Sequence, residues 1–153
     1  MSAAPPVLFT IGYERAGLGE LIATLRAAGV SCLIDVREAP VSRRKEYCKR
    51  ALAEALAESG IDYLHLRALG TPKPGREAAK AGQRARFLEI FQDHMTSDEA
   101  QADLARAEER ARAGGACLFC LERAPERCHR SIVADALTAR LALSVEHLQV
   151  PPA

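Results

Sequence analysis

Short apolar runs alternate with helix-like segments along the whole of this 153-residue chain, and this alternation constrains the fold more than any other feature. Short apolar runs that are rich in β-branched residues and bounded by glycine or proline are typical of buried strands. We predict strands at VLFTIG (7–12), VSCLIDVR (30–37), IDYLHL (61–66), ACLFCLE (116–122) and LSVEHLQV (143–150).

Apolar residues spaced three and four positions apart indicate helices between these strands. The predicted helices cover 18–29, 45–60, 83–95, 97–115 and 130–141. Ser97 is expected to cap the fourth of them. The segment RALGTPKPGREAAKAG (67–82) is interpreted as a basic loop, because it contains two prolines and three glycines.

Strands that alternate with helices form a mostly parallel sheet that is covered on both faces. With right-handed crossovers, this pattern predicts an α/β fold, a three-layer α/β/α sandwich that is Rossmann-like or flavodoxin-like, with a mostly parallel sheet of about five strands. The length suits one domain, so we predict a single α/β domain over 1–153.

Composition and cysteine usage predict a cytoplasmic protein without membrane contact. The longest apolar runs are too short to cross a bilayer, and the first residues lack the pattern of a signal peptide. An odd number of cysteines, five, indicates reduced thiols rather than a disulfide framework. Cys117 and Cys120 are three apart in a strand and are expected to face opposite sides of the sheet.

Positive charge is concentrated in residues 37–86, which contain 12 Lys and Arg against 6 Asp and Glu. Such an excess predicts a basic surface and a polyanionic ligand. A chance clustering on solvated helix faces explains the same count equally well.

The ends of the predicted strands concentrate polar residues at one edge of the sheet. Ligands of parallel α/β sheets bind at the carboxyl ends of the strands, where the strand order reverses. Asp35 and Arg37 leave the second strand there and either position each other for a substrate or form a structural ion pair. Gly12 either permits close approach of a ligand or relieves a turn. His65 is interpreted as a hydrogen-bonded core histidine.

The stretch LFCLERAPERCHRSI (118–132) carries the densest chemistry in the sequence. It leads into a predicted helix whose first N–H groups and dipole attract anions. Arg130 can offer a bidentate fork to phosphate or carboxylate, and the same field favours the thiolate of Cys128. His129 is suited to general acid or base chemistry. The alternative is a solvated connection that happens to be rich in arginine.

These considerations define the candidate site residues. The catalytic candidates are Asp35, Cys120, Glu122, Cys128 and His129, and the substrate-binding candidates are Gly12, Tyr13, Arg37, Arg130 and Ser131. No metal is assigned and the cofactor is unknown. A metal site made of Cys120, Cys128 and His129 is a weaker alternative, because the paired short intervals of structural zinc motifs are missing.

Four stretches carry a family resemblance: TIGYE (10–14), LIDVREAPVSRR (33–44), IDYLHLRALGTPKPGR (61–76) and LFCLERAPERCHRSIVADAL (118–137). They resemble the bacterial and archaeal domain of unknown function 488. The most specific element is the strand with Cys-x-Glu, followed by a loop and Cys-His-Arg. The resemblance implies a shared crevice and no particular reaction. Glu14 stands where many relatives carry serine, so a hydroxyl is not essential at this position.

Three functions remain open at this point. The first is an enzyme, a hydrolase or transferase, or a binding protein for a phosphorylated or nucleotide-like anion. The second is a rhodanese-like or phosphatase-like thiol enzyme, although nine residues separate Cys120 from Arg130 where those enzymes use a shorter loop. The third is a non-catalytic module that binds nucleic acid or a protein, and the only support for it in the sequence is the distribution of charge. A homodimer is compatible with each of them.

Overall fold

The computed structural model describes residues 5–151 and confirms the three-layer α/β/α sandwich. The strands are β1 (Val7–Gly12), β2 (Cys32–Asp35), β3 (Asp62–His65), β4 (Ala116–Cys120) and β5 (Ser144–His147). The helices are α1 (Leu18–Ala28), α2 (Lys49–Glu58), α3 (Lys73–Lys80), α4 (Arg84–Met95), α5 (Asp98–Ala113) and α6 (His129–Arg140). None of the helices in this described part of the chain has the length and hydropathy of a membrane span.

The five strands form one sheet in the order β3-β2-β4-β1-β5, and every neighbouring pair is parallel. The two common doubly wound orders, 3-2-1-4-5-6 and 2-1-3-4-5, place their strands differently. Here β4 is inserted between β1 and β2. The chain therefore has the predicted layers, with a strand order that differs from both of these doubly wound orders.

Each face of the sheet carries its own apolar cluster. Helices α1 and α2 pack on one face, and α3, α4, α5 and α6 pack on the other. Within β4, Cys117 and Phe119 belong to the first cluster, while Leu118 and Cys120 belong to the second. The prediction that Cys117 and Cys120 face opposite sides is confirmed, as the two-residue period of a strand requires.

The order of the strands creates a crevice between the carboxyl ends of β2 and β4. The chain leaves β2 through α2, on one face, towards β3, and it leaves β4 through α6, on the other face, towards β5. Neighbouring strands whose connections diverge leave an open crevice beyond their ends. Asp35 at the end of β2 is paired in register with Phe119 of β4.

One segment differs from its prediction, because the basic segment 67–82 contains helix α3. Its prolines do not break the helix, since Pro72 precedes it and Pro74 lies in its first turn, where no N–H partner is needed. Gly75 is buried, and a Cβ there would crowd Thr71 and Ile90. Close packing of α3 on α4 thus overrides the local glycine and proline content.

The remaining differences lie at element ends. Predicted helix 45–60 begins with a separate turn of 3₁₀ helix at Lys45–Tyr47, and β5 is shorter than the run 143–150. Ser97 caps α5 as predicted, because its hydroxyl accepts a hydrogen bond from the backbone N–H of Ala100 at 3.2 Å.

Gly12 provides a direct test of how closely the loop after β4 packs on the end of β1. A Cβ at this position would overlap the backbone carbonyl of Glu122. We expect Gly12→Ala to lower the free energy of unfolding by about 1–3 kcal/mol through overpacking.

Gly19 is the matched control for this substitution. It is exposed in α1 with open space around the position of a Cβ, so Gly19→Ala should raise stability by about 0.5–1 kcal/mol. Chemical denaturation of both variants measures the difference. Equal stability of the two variants would contradict the close approach.

Candidate functional site

The predicted juxtaposition of Asp35 with the segment around His129 is present in the structure. The Nε2–H group of His129, at the start of α6, donates a hydrogen bond of 2.6 Å to the backbone carbonyl of Val36. Cys120 ends the neighbouring strand β4. A cavity of about 420 Å³ opens at this edge of the sheet. Its wall includes Tyr13, Arg37, Thr71, Cys120, Glu122 and His129.

Asp35 and Arg37 form a buried, bidentate ion pair. Arg37 Nη2 lies 2.7 Å from Asp35 Oδ2, and Arg37 Nε lies 2.9 Å from Oδ1. The backbone N–H of Arg37 and the hydroxyl of Tyr63 donate two further hydrogen bonds to this carboxylate. Asp35 is fully buried, so all its acceptor capacity is directed inward. The geometry shows the ion pair, and because Arg37 lines the cavity, the same pair is also placed to position a substrate.

The guanidinium of Arg37 is held at the wall of the cavity. Its Cζ lies 5.0 Å from the ring centre of Phe119 and 5.4 Å from that of Tyr13. Tyr13 stacks in turn on Tyr47, with ring centres 4.5 Å apart. His65 donates a hydrogen bond of 2.8 Å from Nε2 to the carbonyl of Arg37, as predicted, but its side chain is half-buried and not part of the core.

Arg37 keeps one unused donor. Only 6% of its side chain is exposed, and its Nη1 has no hydrogen-bond partner among residues 5–151. Burial opposes the charge, but the carboxylate of Asp35 outweighs it and raises the pKa of Arg37 above its ordinary value. The group is therefore a permanently charged, rigid donor at the wall of the cavity.

Cys120, Cys128 and His129 form a cluster of two sulfur atoms and an imidazole. His129 Nδ1 lies 3.8 Å from the Sγ of Cys120 and 3.9 Å from the Sγ of Cys128. Because a carbonyl can only accept, the hydrogen on Nε2 is fixed by Val36. Nδ1 is thus the nitrogen without a fixed hydrogen, while the Sγ of Cys120 stands beside the ring, 4.0 Å from Nε2 as well. Cys120 and His129 line the cavity, whereas Cys128 lies behind them.

The electrostatics of the cluster shift the pKa values of its two thiols in opposite directions. Burial opposes ionisation of Cys128, but hydrogen bonds from Cys120 and His129 and the charges of His129 and Arg130 lower its pKa well below the ordinary value. Burial likewise opposes the charge on His129, yet the thiolate of Cys128 raises the pKa of this imidazole. The Cys120 pKa is raised, first by its hydrogen bond to Cys128 and then by burial.

Glu122 shares the same wall of the cavity. Burial, followed by the nearby thiolate of Cys128, raises its pKa to about 7. Its carboxyl group therefore changes protonation near neutral pH, the range in which general acids and bases operate.

Three of the predicted binding residues do not form the cavity wall described above. Arg130 is fully buried and donates from Nη1 and Nη2 to the backbone carbonyls of Glu122 and Arg123. The hydroxyl of Ser131 donates to the carbonyl of Cys128 at 3.0 Å. Gly12 packs against the backbone of Glu122. These residues hold the loop after β4 in place.

Sequence reasoning missed several residues of this region. The hydroxyl of Tyr63 donates a hydrogen bond of 2.6 Å to Asp35. Arg76 lines the cavity and forms a salt bridge of 3.1 Å with Glu38 Oε2. Lys80 lines this cavity and a second one of about 420 Å³ beside it. The excess of Lys and Arg in 37–86 was the available signal, but assigning 67–82 to a loop hid which side chains point inward.

The second cavity extends the site along α3 and the start of α4. Its wall includes Lys80, Arg84, Phe87, Glu122 and Arg127. The guanidinium of Arg84 lies 5.1 Å from the ring centre of Phe87 and donates to the carbonyl of Glu126 at 3.3 Å. Because the two cavities share Lys80 and Glu122, they adjoin at these two side chains.

The model of the family Domain of unknown function DUF488 matches residues 17–137. The chain belongs to this family. The match covers most of the chain and includes the Cys-x-Glu and Cys-His-Arg motifs, so the predicted membership is confirmed. The TIGYE stretch precedes the segment matched by DUF488. No curated protein and no solved structure matches the chain.

The ion pair at the end of β2 can be tested by removing its acid. Asp35→Ala leaves the guanidinium of Arg37 buried without its partner, and we expect a loss of about 3–5 kcal/mol in the free energy of unfolding. Asp135→Ala, an exposed change in α6, should stay within about 0.5 kcal/mol of the wild type. Urea denaturation gives both values. A loss below about 1 kcal/mol for Asp35→Ala would contradict the buried pair.

Tyr63 makes stability depend on pH in the alkaline range. Burial, and then the charge of Asp35, raise the pKa of its hydroxyl, although Arg37 partly opposes this. The folded state therefore retains a proton that the unfolded state loses above about pH 10, so Tyr63 makes the free energy of unfolding fall as pH rises beyond that value.

In Tyr63→Phe this fall should be shallower by up to about 1.4 kcal/mol per pH unit, the linkage of one proton. The comparison requires denaturation curves of the variant and the wild type between pH 9 and 11. Identical slopes would show that Tyr63 ionises normally in the folded protein.

Proposed function

We propose that the crevice at the ends of β2 and β4 binds a small phosphorylated or nucleotide-like anion, and that the protein is a hydrolase or transferase acting on it. The observation that carries this proposal is the guanidinium of Arg37, a residue of the cavity wall whose buried Nη1 has no hydrogen-bond partner among residues 5–151. Buried donors are almost always satisfied, so an orphaned N–H on a charged group calls for an acceptor. Phosphate and carboxylate oxygens are the acceptors that match a guanidinium.

The setting of Arg37 suits recognition rather than stability alone. The side chain of Arg37 is held by its ion pair with Asp35, which also accepts a hydrogen bond from Tyr63. Its backbone carbonyl accepts a hydrogen bond from His65. An anion that binds there meets a donor that needs little reorganisation, which is the condition for strong electrostatic binding in a site with little water.

The adjoining cavities favour a ligand longer than inorganic phosphate. Lys80 stands between them and forms no ion pair with the residues that the structure describes. Arg84 and Arg127 add positive charge to the second cavity, and Phe87 adds an aromatic wall. A nucleotide-like molecule has both the charge and the flat apolar surface for such a groove.

The roles proposed for the site residues follow their positions. Arg37 and Lys80 contact the anion, with Tyr13 as part of the wall. Glu122 and His129 face the cavity and are the candidates for proton transfer. Asp35 acts through Arg37 as a positioning residue, and the anion role predicted for Arg130 and Ser131 is replaced by support of the loop.

A thiol-dependent enzyme is the second candidate. It is favoured by one observation, namely that Cys120 ends its strand on the cavity wall, beside the imidazole of His129. In that case Cys120 is the nucleophile, His129 takes the proton that the raised pKa of this thiol retains, and Cys120→Ser abolishes turnover while the anion still binds. The five free cysteines agree with the cytoplasmic location proposed from sequence. Binding of nucleic acid and formation of a homodimer stay predictions.

Thermal unfolding with a panel of inorganic phosphate and nucleoside monophosphates tests the anion site. A ligand at a hundredfold excess over its Kd should raise the Tm by about 5–10 °C. For the best ligand, we expect Lys80→Glu to weaken binding about 10- to 100-fold, because a charge-assisted contact is replaced by a repulsive one.

Lys49→Glu is the control, since this exposed lysine lies in α2 on the opposite face of the sheet. It carries the same change of net charge and should leave the Kd within about twofold of the wild type, a long-range effect that salt screens. Equal weakening by both variants, or a panel in which no anion raises the Tm, would refute the proposal.

A further inference from the structure

We propose that Cys120, Cys128 and His129 bind one divalent metal ion, with Zn²⁺ as the ion that the donor set fits best. Two cysteine sulfurs and an imidazole nitrogen form a donor set of intermediate softness. Zinc prefers such a set, and few other available ions do. The proposal uses the three side chains that the cavity and the loop after β4 bring together.

The distances between the donor atoms fit a single ion. The two sulfurs and the imidazole nitrogen all lie within 4.8 Å of one another, and Nδ1 is 3.8 Å and 3.9 Å from the two Sγ atoms. With Zn–S near 2.3 Å and Zn–N near 2.0–2.1 Å, tetrahedral coordination separates sulfur and nitrogen donors by about 3.6 Å. Binding would draw the donors together by up to about 1 Å and turn the imidazole so that Nδ1 faces the Sγ of Cys120, which now lies 4.0 Å from Nε2.

The surroundings of His129 match those of a metal ligand. Metal-binding histidines usually donate the second ring N–H to a carbonyl or carboxylate, which fixes the tautomer and orients the ring. His129 does this through Nε2 and the carbonyl of Val36, which leaves Nδ1 as the nitrogen available to an ion. Its neighbour Arg130 fastens the loop at Glu122 and Arg123, between the two cysteines in sequence.

A packing role explains the three side chains less well. Buried cysteine often serves as a small apolar residue, and all four buried cysteines belong to the apolar clusters, but only Cys120 and Cys128 lie within 4 Å of an imidazole nitrogen of His129. Cys120, Cys128 and His129 are only 5%, 1% and 8% exposed, yet they direct polar atoms at one another. Among residues 5–151, no other group of three potential ligands converges in this way.

The geometry leaves the fourth coordination position towards the cavity. Cys120 and His129 line the cavity, and Cys128 closes the opposite side. Zinc sites with three protein ligands and an open position are catalytic, because the fourth position takes water or a substrate oxygen. This last step rests on the proposed function, since it makes the anion in the cavity the molecule that the ion polarises. Binding of the ion itself does not depend on that step.

Metal content and cobalt titration of the full-length protein test the site. Protein expressed with zinc and purified in phosphate-free buffer should contain about one zinc per chain. Co²⁺ added to the metal-free wild type should produce thiolate-to-cobalt charge-transfer absorption and the strong visible bands of a tetrahedral ion, saturating at one equivalent. Coordination displaces the thiol protons, so a pH indicator should register their release.

Variants locate the ligands. Cys120→Ser, Cys128→Ser and His129→Gln should each weaken Co²⁺ binding more than about 100-fold, beyond the 10- to 100-fold effect of losing a residue that merely orients a ligand. Cys48→Ser is the matched control and should bind normally. This half-buried thiol lies at the start of α2, where it exchanges hydrogen bonds with the backbone of Ser42.

The outcomes separate this inference from the proposed function. A wild type that carries no zinc and gives no cobalt–thiolate absorption overturns the metal site, even if nucleoside monophosphates still raise the Tm. Conversely, one bound zinc with no stabilisation by any anion supports the metal site and refutes the anion site. Because the wild type provides the primary signal, a variant that fails to fold does not decide the result.

Discussion

The buried ion pair between Asp35 and Arg37 is the interaction on which the rest of the site depends. It fixes the direction in which the chain leaves β2, because the carboxylate takes hydrogen bonds from the side chain and the backbone of Arg37 as well as from Tyr63. A buried pair of this kind contributes little net stability compared with an apolar substitute, but breaking it is costly. It therefore serves to define geometry, and that geometry places the guanidinium of Arg37 in the wall of the cavity.

The residue between the two partners connects this pair to the other half of the site. The carbonyl of Val36 accepts the Nε2–H of His129, so the end of β2 orients an imidazole that belongs to α6. Arg130 then holds the intervening loop by its carbonyls. The ion pair and the cluster of imidazole and thiols are thus connected across the crevice through the backbone of Val36.

Much of this arrangement was predictable from local patterns. Alternating strands and helices predicted the layers, and the parallel sheet placed Asp35, Cys120 and His129 at one edge. Ser97 had a recognisable local reason for its hydrogen bond, whereas that of His65 joins residues 28 apart and depends on the pairing of β2 with β3. Helix α3 was missed because glycine and proline are read as breakers from sequence, whereas Gly75 is here the residue that allows close packing on α4.

The amino-acid sequence by itself determined the sandwich and the common edge, because the two-residue and 3.6-residue periods select strands and helices, and parallel strands must end on the same side. Only the tertiary structure decided which cation faces the cavity. Arginine has a long side chain whose direction depends on the partners it meets, so Arg130 turned to the loop carbonyls and Arg37 paired with Asp35 at the wall of the cavity. The convergence of Cys120, Cys128 and His129 to within 4.8 Å has the same origin, since the spacing between donors on separate elements is set by how β4 and α6 pack.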